Sequence, residues 1–235
     1  MAEAVRQGVL RRYWAAWLRA GGVIALSLLV PFFILSRVRH EKTLQAQERD
    51  GAQIFMRVCS GCHSLDLVRV RQMADDLDLS PAAMRTLLIE PPDNWNAPLA
   101  RAMDADAARQ WFGIAPPDLS LTAQVHGTRW ISRYLSGFYR DPTRPSGWNN
   151  TQVHDTAMPN VLWDLPQSLA QQRGGHPSPV MTREQTIAQI SAFLAYAADP
   201  TAHRRRMMAP WVIGFFCLFT VVVWLLQREY WRDIL

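Results

Sequence analysis

The chain has 235 residues, 49% of them hydrophobic and 19% charged, and a formal net charge of +5. Its excess basic residues cluster beside two apolar segments, where contact with lipid headgroups would explain them. Between residues 43 and 203 the balance is reversed, because 13 Arg stand against 16 Asp and Glu residues. The composition thus argues against nucleic acid as a partner, and three cysteines are too few for a disulfide framework.

The first apolar segment covers residues 20–36, which are 17 residues without a charge, and it follows three arginines within the first 12 positions. A basic region before an apolar stretch is the pattern of a secretory signal. Two arginines directly after the segment leave no small-residue cleavage pattern. We therefore expect residues 1–36 to form an uncleaved signal anchor, with a cleaved signal peptide as the alternative.

The motif CSGCH runs from Cys59 to His63, after a predicted helix over residues 48–58. In this pattern two thiols attach covalently to the vinyl groups of a haem, and the adjacent histidine is an axial ligand of the iron. A zinc site would need four ligands, and the sequence offers no second cysteine pair. A redox dithiol would need a strand and helix context. We predict one covalently attached haem c, held by Cys59 and Cys62 with His63 on the iron.

The second axial ligand is expected to be a methionine, which raises the reduction potential when it lies opposite a histidine. Met158 is part of the sequence AMPNVLW, within a Pro, Gly and Asn-rich stretch over residues 141–179. Long irregular loops in a compact domain are often functional, and this one is apolar enough to cover a haem. Met158 is the predicted ligand, with Met84, Met103 and Met181 as alternatives.

Two helices are predicted between the motif and this loop, over residues 104–112 and 128–139. Their periodicity turns four aromatic side chains toward the interior: Trp111, Phe112, Trp130 and Tyr134. Of these, Tyr134 is the predicted haem contact.

A further helix is predicted to start at a capping box formed by Thr182 and Gln185 and to end before Asp199 and Pro200. Its predicted apolar face comprises Ile187, Ile190, Phe193, Leu194 and Ala197.

The second apolar segment has 20 uncharged residues, 207–226. At about 1.5 Å per residue it is long enough to cross the roughly 30 Å hydrocarbon layer. We predict a membrane-spanning helix over residues 207–227 and a tail over residues 228–235. Basic residues flank both apolar segments on both sides, so their distribution does not orient the chain.

Five sequence blocks resemble the cytochrome c1 family in order and spacing, over roughly residues 45–235: GAQIFMRVCSGCHSL, WFGIAPPDLSL, FYRDPTRPSGWNN, AMPNVLWDL and REYWRDIL. The resemblance implies a mostly α-helical, cytochrome-c-like haem domain, here residues 37–206, held at the membrane by one C-terminal membrane-spanning helix. The family normally loses its N-terminal signal peptide, so the second membrane-spanning helix that we expect at the N-terminus of this chain is a departure from the family. It also implies that the terminal helix of the domain crosses the helix before CSGCH, at Gly51 and Phe55.

The resemblance also suggests further site residues. Pro116, Pro117 and Asp118 would line the haem pocket on the histidine side, and Arg109 would pair with a haem propionate. The chain is shorter than is usual for the family between His63 and Asp118, which affects the surface available to partners.

The family implies a function as the haem subunit of the bc1 complex, a quinol:cytochrome c oxidoreductase. Such a subunit is no enzyme on its own: it passes electrons from the Rieske iron-sulfur protein to a soluble or membrane-bound c-type cytochrome, beside cytochrome b, within a dimeric complex. We expect a bacterial inner membrane protein with its haem domain in the periplasm. A monohaem subunit of a terminal oxidase and a membrane-anchored haem sensor or delivery protein are the alternatives.

A cluster of carboxylates at Asp75, Asp76 and Asp78 is a candidate for steering a basic cytochrome c toward the domain, with an ordinary solvated surface run as the alternative.

Overall fold

The computed structural model describes residues 39–165 and 181–232. The chain divides into two units, Met1–Gln45 and Ala46–Leu235, and the site lies in the second unit. The predicted N-terminal anchor, residues 1–36, and part of the predicted loop, residues 166–180, lie outside the described residues.

The described part of the chain is mainly helical, as predicted. Helix α1 includes residues 39–58. The other helices are α2 (Val70–Asp76), α3 (Pro81–Leu87), α4 (Ala105–Phe112), α5 (Thr122–His126), α6 (Thr128–Ser136), α7 (Arg183–Ala198) and α8 (Ala202–Arg232). Four short strands are β1 (Leu65–Arg69), β2 (Pro98–Leu99), β3 (Phe138–Arg140) and β4 (Trp148–Asn150).

Polar side chains fix where α4 and α7 begin. The carboxylate of Asp104 accepts hydrogen bonds from the backbone N–H groups of Asp106 and Ala107, at 2.9 and 3.0 Å. At α7 the hydroxyl of Thr182 accepts from the N–H of Gln185 at 3.2 Å, and the Gln185 side chain accepts from the N–H of Thr182 at 2.9 Å. The predicted capping box is therefore confirmed, and both ends satisfy N–H groups that lack partners within the helix.

Helices α1 and α7 cross at a glycine. A Cβ atom at Gly51 would lie 2.0 Å from the carbonyl oxygen of Gln189 and 2.9 Å from the Cβ of Phe193, so no other residue allows this approach. One helical turn away, Phe55 fills the crossing, with its ring 5.2 Å from that of Phe193. Both phenylalanines are fully buried, and the other four residues of the predicted apolar face of α7 are buried as well: Ile187, Ile190, Leu194 and Ala197.

Helix α6 packs against α7 through polar as well as apolar contacts. The hydroxyls of Ser132 and Ser191 are 2.9 Å apart, and Arg183 donates to the carbonyl oxygen of Leu135 at 3.2 Å. Ser191 is buried, so its hydroxyl needs such a partner. These contacts fix the position of α6, which forms one wall of the cavity described below.

Helix α6 is shorter than predicted. The expected helix over residues 128–139 ends at Ser136, and Phe138 begins strand β3. Gly137 allows the segment after β4 to approach the end of the helix closely, because a Cβ atom at this position would lie 2.4 Å from the hydroxyl oxygen of Thr151. The side chain of Asn150, in the neighbouring strand β4, donates to the carbonyl oxygen of Tyr134 at 2.7 Å and so replaces a helical hydrogen bond.

The predicted inward orientation of Trp111 is wrong, because its side chain is 78% exposed. Helix α4 buries Ala108 instead, and the N-cap at Asp104 together with Gly113 at φ 76° fixes the ends of a single short helix. Phe112, Trp130 and Tyr134 are partly buried, in agreement with the prediction.

The candidate steering carboxylates differ in their surroundings. Asp76 accepts a hydrogen bond from the hydroxyl of Tyr196 at 2.9 Å. Burial, followed by the charge of Asp76, raises the pKa of Tyr196 well above its ordinary value. Asp75 is exposed beside Arg71, and Asp78 is exposed with a φ of 53°. Asp76 therefore joins α2 to α7, and steering by the cluster stays a prediction.

Helix α8 is the candidate membrane span within the described residues. It has 31 residues, its most apolar window has a mean hydropathy of 2.3, and none of that window is buried. This agrees with the predicted C-terminal membrane helix, since an apolar helix that the protein does not bury needs another apolar environment.

Candidate haem site

A cavity of about 730 Å³ lies between α1, α5, α6, α7 and the segments after α4 and β4. Its walls are mostly apolar side chains, and pockets of about 300–1,000 Å³ with such walls are typical of cofactor sites. Eight of the predicted site residues line it: Cys59, Cys62, His63, Pro116, Pro117, Asp118, Tyr134 and Met158. The fold therefore brings together residues that are about 100 positions apart in the sequence.

The CSGCH motif forms a turn at the end of α1. The backbone N–H of Cys59 donates to the carbonyl oxygen of Phe55, and that of His63 donates to the carbonyl oxygen of Cys59, both at 2.8 Å. The segment after β2 packs against this turn and stabilises it, because the N–H of Met103 donates to the carbonyl oxygen of Gly61 at 2.9 Å. Both thiols and the imidazole thus reach the same cavity from one rigid turn.

The thiols of Cys59 and Cys62 lie in surroundings that disfavour thiolates. Burial, reinforced by the neighbouring Cys62, raises the pKa of Cys59 to about 12. Burial also raises the pKa of Cys62. Redox dithiols and metal-binding thiols have lowered pKa values instead. The environment therefore fits two thioether bonds to a haem better than a reactive dithiol.

His63 is oriented by a backbone carbonyl. Its Nδ1 lies 2.8 Å from the carbonyl oxygen of Pro117, so Nδ1 carries the proton and donates it there. This tautomer leaves the Nε2 lone pair available to a metal, as is usual for histidine ligands. Burial lowers the pKa of His63, against the opposing effect of the Pro117 carbonyl, and the charge of Arg101 lowers it further. The imidazole is therefore held neutral, which is the form that binds iron.

Asp118 fixes the segment that supplies this carbonyl. Its carboxylate accepts from the N–H of Asp66 at 2.7 Å, from the hydroxyl of Ser64 at 3.0 Å and from the N–H of Ser120 at 2.9 Å. Although burial acts to raise the pKa of Asp118, these hydrogen bonds outweigh it and lower the pKa. Asp118 thus ties the residues after CSGCH to the PPDLS sequence.

Among the methionines that the structure describes, Met158 lines the cavity and the alternatives do not. Met84 is fully buried in the hydrophobic core. Met103 and Met181 are partly buried outside the cavity wall. Met158 therefore stays the predicted second ligand, because its side chain lines the cavity.

The loop before Met158 is held by side-chain contacts. The guanidinium of Arg144 donates to the carboxylate of Asp155 at 2.9 Å and to its carbonyl oxygen at 2.8 Å. The side chain of Asn149 accepts from the N–H of Asp155 at 2.9 Å. Asp155 has a φ of 60°, a conformation that needs such support in a residue with a side chain. The loop can therefore present Met158 in a fixed position.

Tyr134 contacts Met158 directly. Its hydroxyl lies 3.6 Å from the Sδ atom of Met158 and 2.8 Å from the hydroxyl oxygen of Thr156. Burial raises the pKa of Tyr134, partly offset by the hydrogen bond with Thr156.

Arg109 and Arg101 differ in their distance from the site. Arg109 has a side chain that is 58% exposed, forms an ion pair with Asp106 and does not line the cavity. Arg101 does not line the cavity either, but it is partly buried, donates to the carbonyl oxygen of Pro116 at 3.2 Å and lies close enough to His63 to lower the pKa of that imidazole. Sequence reasoning missed Arg101, because a single arginine in an irregular segment carries no local signal. The propionate role predicted for Arg109 gains no support from its position.

These residues fit a covalently bound haem. The cavity is apolar, both thiols open onto it, and a neutral imidazole with a free Nε2 shares it with a thioether. Histidine with methionine is a known axial pair for haem iron. Within residues 39–165 and 181–232 no group of three or more His, Cys, Asp or Glu side chains is arranged to hold a metal ion.

The profile of the cytochrome C1 family matches residues 40–234. The chain is 32% identical to cytochrome c1 from Allochromatium vinosum, over 81% of this chain and 85% of that protein. It is 33% identical to the ammonia monooxygenase gamma subunit of Nitrosomonas europaea, over 78% of this chain and 82% of that protein. Cytochrome c1 from Rhodospirillum rubrum is 28% identical, over 81% of this chain and 82% of that protein.

A helical domain with CSGCH, and with a histidine and a methionine in one apolar cavity, has the features of a c-type cytochrome. The chain belongs to the cytochrome c1 family. Members of this family carry covalently bound haem c and are redox subunits of the bc1 complex. The apolar helix α8 is compatible with membrane anchoring.

Proposed function

We propose that this chain accepts electrons from the Rieske iron-sulfur protein of a bc1 complex and passes them to a soluble or membrane-bound c-type cytochrome. The observation that carries the proposal is the shared cavity of His63 and Met158, next to Cys59 and Cys62, in a chain of the cytochrome c1 family. The haem supplies the one-electron chemistry, and no substrate bond is made or broken by the protein.

Each protein group has a separate task in this proposal. Cys59 and Cys62 would attach the cofactor to the end of α1, and His63 would bind its iron in the orientation given by the Pro117 carbonyl. Met158 would supply a second iron ligand, and a methionine ligand favours a raised potential. The apolar walls limit water, which disfavours the more highly charged oxidised state of the cofactor.

The proposed domain organisation follows from the same assignment. Residues 37–206 form the haem domain on the periplasmic side of the inner membrane, residues 207–227 cross the membrane and residues 228–235 form a cytoplasmic tail. Residues 1–36 provide a second anchor. In this proposal α8 lies beside cytochrome b in a dimeric complex.

A different complex is suggested by the name of one relative, the gamma subunit of ammonia monooxygenase, which is as similar in sequence as the cytochromes c1. A terminal oxidase subunit is less compatible with the C-terminal helix, since such subunits typically have a single N-terminal anchor. A haem sensor would need an open coordination position, which Met158 would close.

Purification of the tagged chain in mild detergent tests the proposal. We expect co-purification of b-type haem, seen in the visible spectrum, and of a Rieske protein, identified by mass spectrometry. Recovery of monooxygenase subunits or of oxidase haem in their place would favour the other complexes. Recovery of the c-type haem alone would contradict the proposed complex.

A further inference from the structure

The hydroxyl group of Tyr134 lies between two residues of the loop that carries the proposed iron ligand. It is 3.6 Å from Met158 Sδ and 2.8 Å from Thr156 Oγ1. Contacts to sulfur are longer than those to oxygen, so both distances are within hydrogen-bond range. Hydrogen-bond contacts thus connect these three side chains within a cavity wall that is otherwise mostly apolar.

The number of protons determines the direction of these hydrogen bonds. A thioether sulfur can accept but not donate, whereas a phenol and a threonine hydroxyl each carry a single proton. If Thr156 donates to Tyr134, the phenol proton is available to Met158 and each contact has a donor. If Tyr134 donates to Thr156 instead, Met158 Sδ accepts no hydrogen bond from the phenol. The first direction therefore satisfies both contacts.

The phenol ring is fixed by its neighbours. It stacks on Trp130 with ring centroids 5.3 Å apart and an angle of 12°, and the edge of Phe138 meets it at 5.3 Å. The backbone at Tyr134 is fixed by the hydrogen bond from Asn150 to its carbonyl oxygen, at 2.7 Å. Because the ring cannot turn without disturbing this stack, the hydroxyl is presented to the sulfur without further ordering.

We propose that Tyr134 is a positioning residue for the Met158 ligand, to which its hydroxyl donates a hydrogen bond at Sδ. This inference rests on the proposed function, because it requires Met158 to bind iron. A thioether sulfur has two lone pairs, so one can bind the metal while the other accepts the phenol proton. The hydrogen bond withdraws electron density from the sulfur, weakens its donation to iron and thereby raises the reduction potential.

The test uses the purified full-length protein with its haem and measures two properties. An equilibrium redox titration gives the potential, and the visible spectrum of the oxidised form gives the charge-transfer band of the methionine–iron bond. The variants are Tyr134→Phe, which removes the donor and keeps the ring, and Thr156→Val, which removes the neighbouring hydroxyl. Tyr139→Phe is the matched control, since Tyr139 is exposed and does not line the cavity.

We expect Tyr134→Phe to lower the potential and shift the charge-transfer band, while Tyr139→Phe leaves both unchanged. Thr156→Val should lower the potential by a smaller amount, because a phenol that accepts a hydrogen bond is a stronger donor. An unchanged potential and band in Tyr134→Phe would overturn the inference. A higher potential in Thr156→Val would also overturn it, since that result means that the phenol proton had been directed at Thr156.

These measurements test the ligand role of Met158 and the hydrogen bond from Tyr134 separately. If the unmodified protein shows no methionine–iron band, the assignment of Met158 as ligand is wrong and the proposed function loses its main support. If the band is present and Tyr134→Phe leaves the potential unchanged, the ligand assignment stands and the role of Tyr134 is wrong. If Tyr134→Phe does not retain haem, the sign of the shift in Thr156→Val still decides the direction of the hydrogen bonds.

Discussion

His63 and Pro117 are 54 residues apart, yet the orientation of the imidazole depends on the carbonyl oxygen of Pro117. The position of that carbonyl depends in turn on Asp118, whose carboxylate accepts three hydrogen bonds from Ser64, Asp66 and Ser120. The histidine side of the cavity is thus built by a single polar network around PPDLS.

Replacement Asp118→Asn is expected to destabilise the protein by about 1 kcal/mol at neutral pH, a modest effect because the carboxylate is largely exposed. The pKa of Asp118 is lowered in the folded state, so its contribution is complete above the ordinary pKa of an aspartate. It is lost as the pH falls through the lowered value. Thermal unfolding of both proteins across the acidic range checks this.

In this test the difference in Tm between the two proteins should be largest near neutral pH and should shrink in acid. A difference that grows in acid, or one that does not depend on pH, would contradict the assigned role of the carboxylate.

Arg101 and Arg109 provide a second comparison at this scale. Arg101 is partly buried close to His63, whereas Arg109 is exposed and paired with Asp106. We expect Arg101→Gln to lower the haem reduction potential, by an amount equivalent to about 1 kcal/mol or less, because a nearby cation disfavours the oxidised state. Redox titration should show little change in Arg109→Gln. The opposite order would restore Arg109 as the propionate partner.

The sequence predicted the candidate ligands better than the residues that support them. Cys59, Cys62 and His63 form a contiguous motif whose chemistry requires that spacing, and Met158 is preferred over three other methionines because its loop is long, irregular and apolar. Arg101 and Thr156 belong to irregular segments and reach the site through tertiary contacts, so no local pattern marks them.

Among the secondary-structure elements, too, features set by local sequence were predicted and features set by tertiary contacts were not. Helix α7 has a capping box and an apolar face, and both features are local, so its start was predicted correctly. The end of α6 and the existence of β1 depend on pairing with other segments. Strand β3 pairs with β4, and β1 pairs with β2 about 30 residues away, through short stretches without clear alternation.

Replacement Gly51→Ala tests the crossing of α1 and α7. The added methyl group would meet the Gln189 carbonyl oxygen at 2.0 Å, a backbone atom that cannot move aside alone. We expect a loss of about 3 kcal/mol in the free energy of unfolding, with weaker haem retention. Denaturant unfolding of the purified protein measures the loss.

Gly214→Ala is the control for this change, because it also lies in a helix but has nothing within 4 Å of its added Cβ. Equal stabilities of Gly51→Ala and the unmodified protein would show that the two helices do not cross as closely as described.

At the scale of the whole molecule, helix α8 is the candidate membrane span of the described residues, and none of its most apolar window is buried. A chain ending at Pro200 should lose this anchor and keep its haem, since the cavity is formed by residues before that point. If residues 1–36 are retained as an anchor, the shortened chain should stay in the membrane fraction after an alkaline wash.

Intact-mass measurement of the shortened chain distinguishes the two N-terminal interpretations. A soluble product that lacks the first 36 residues would show that they are a cleaved signal peptide and would contradict the predicted second anchor.

The proposed function requires this chain to carry quinol-derived electrons to a c-type cytochrome. The most direct measurement is the absorbance of its c-type haem, followed by rapid mixing of quinol with the detergent-solubilised complex. We expect the c-type haem to be reduced by quinol and then reoxidised when an oxidised soluble cytochrome c is added. A c-type haem that stays oxidised while the b-type haems of the same preparation are reduced would contradict the account.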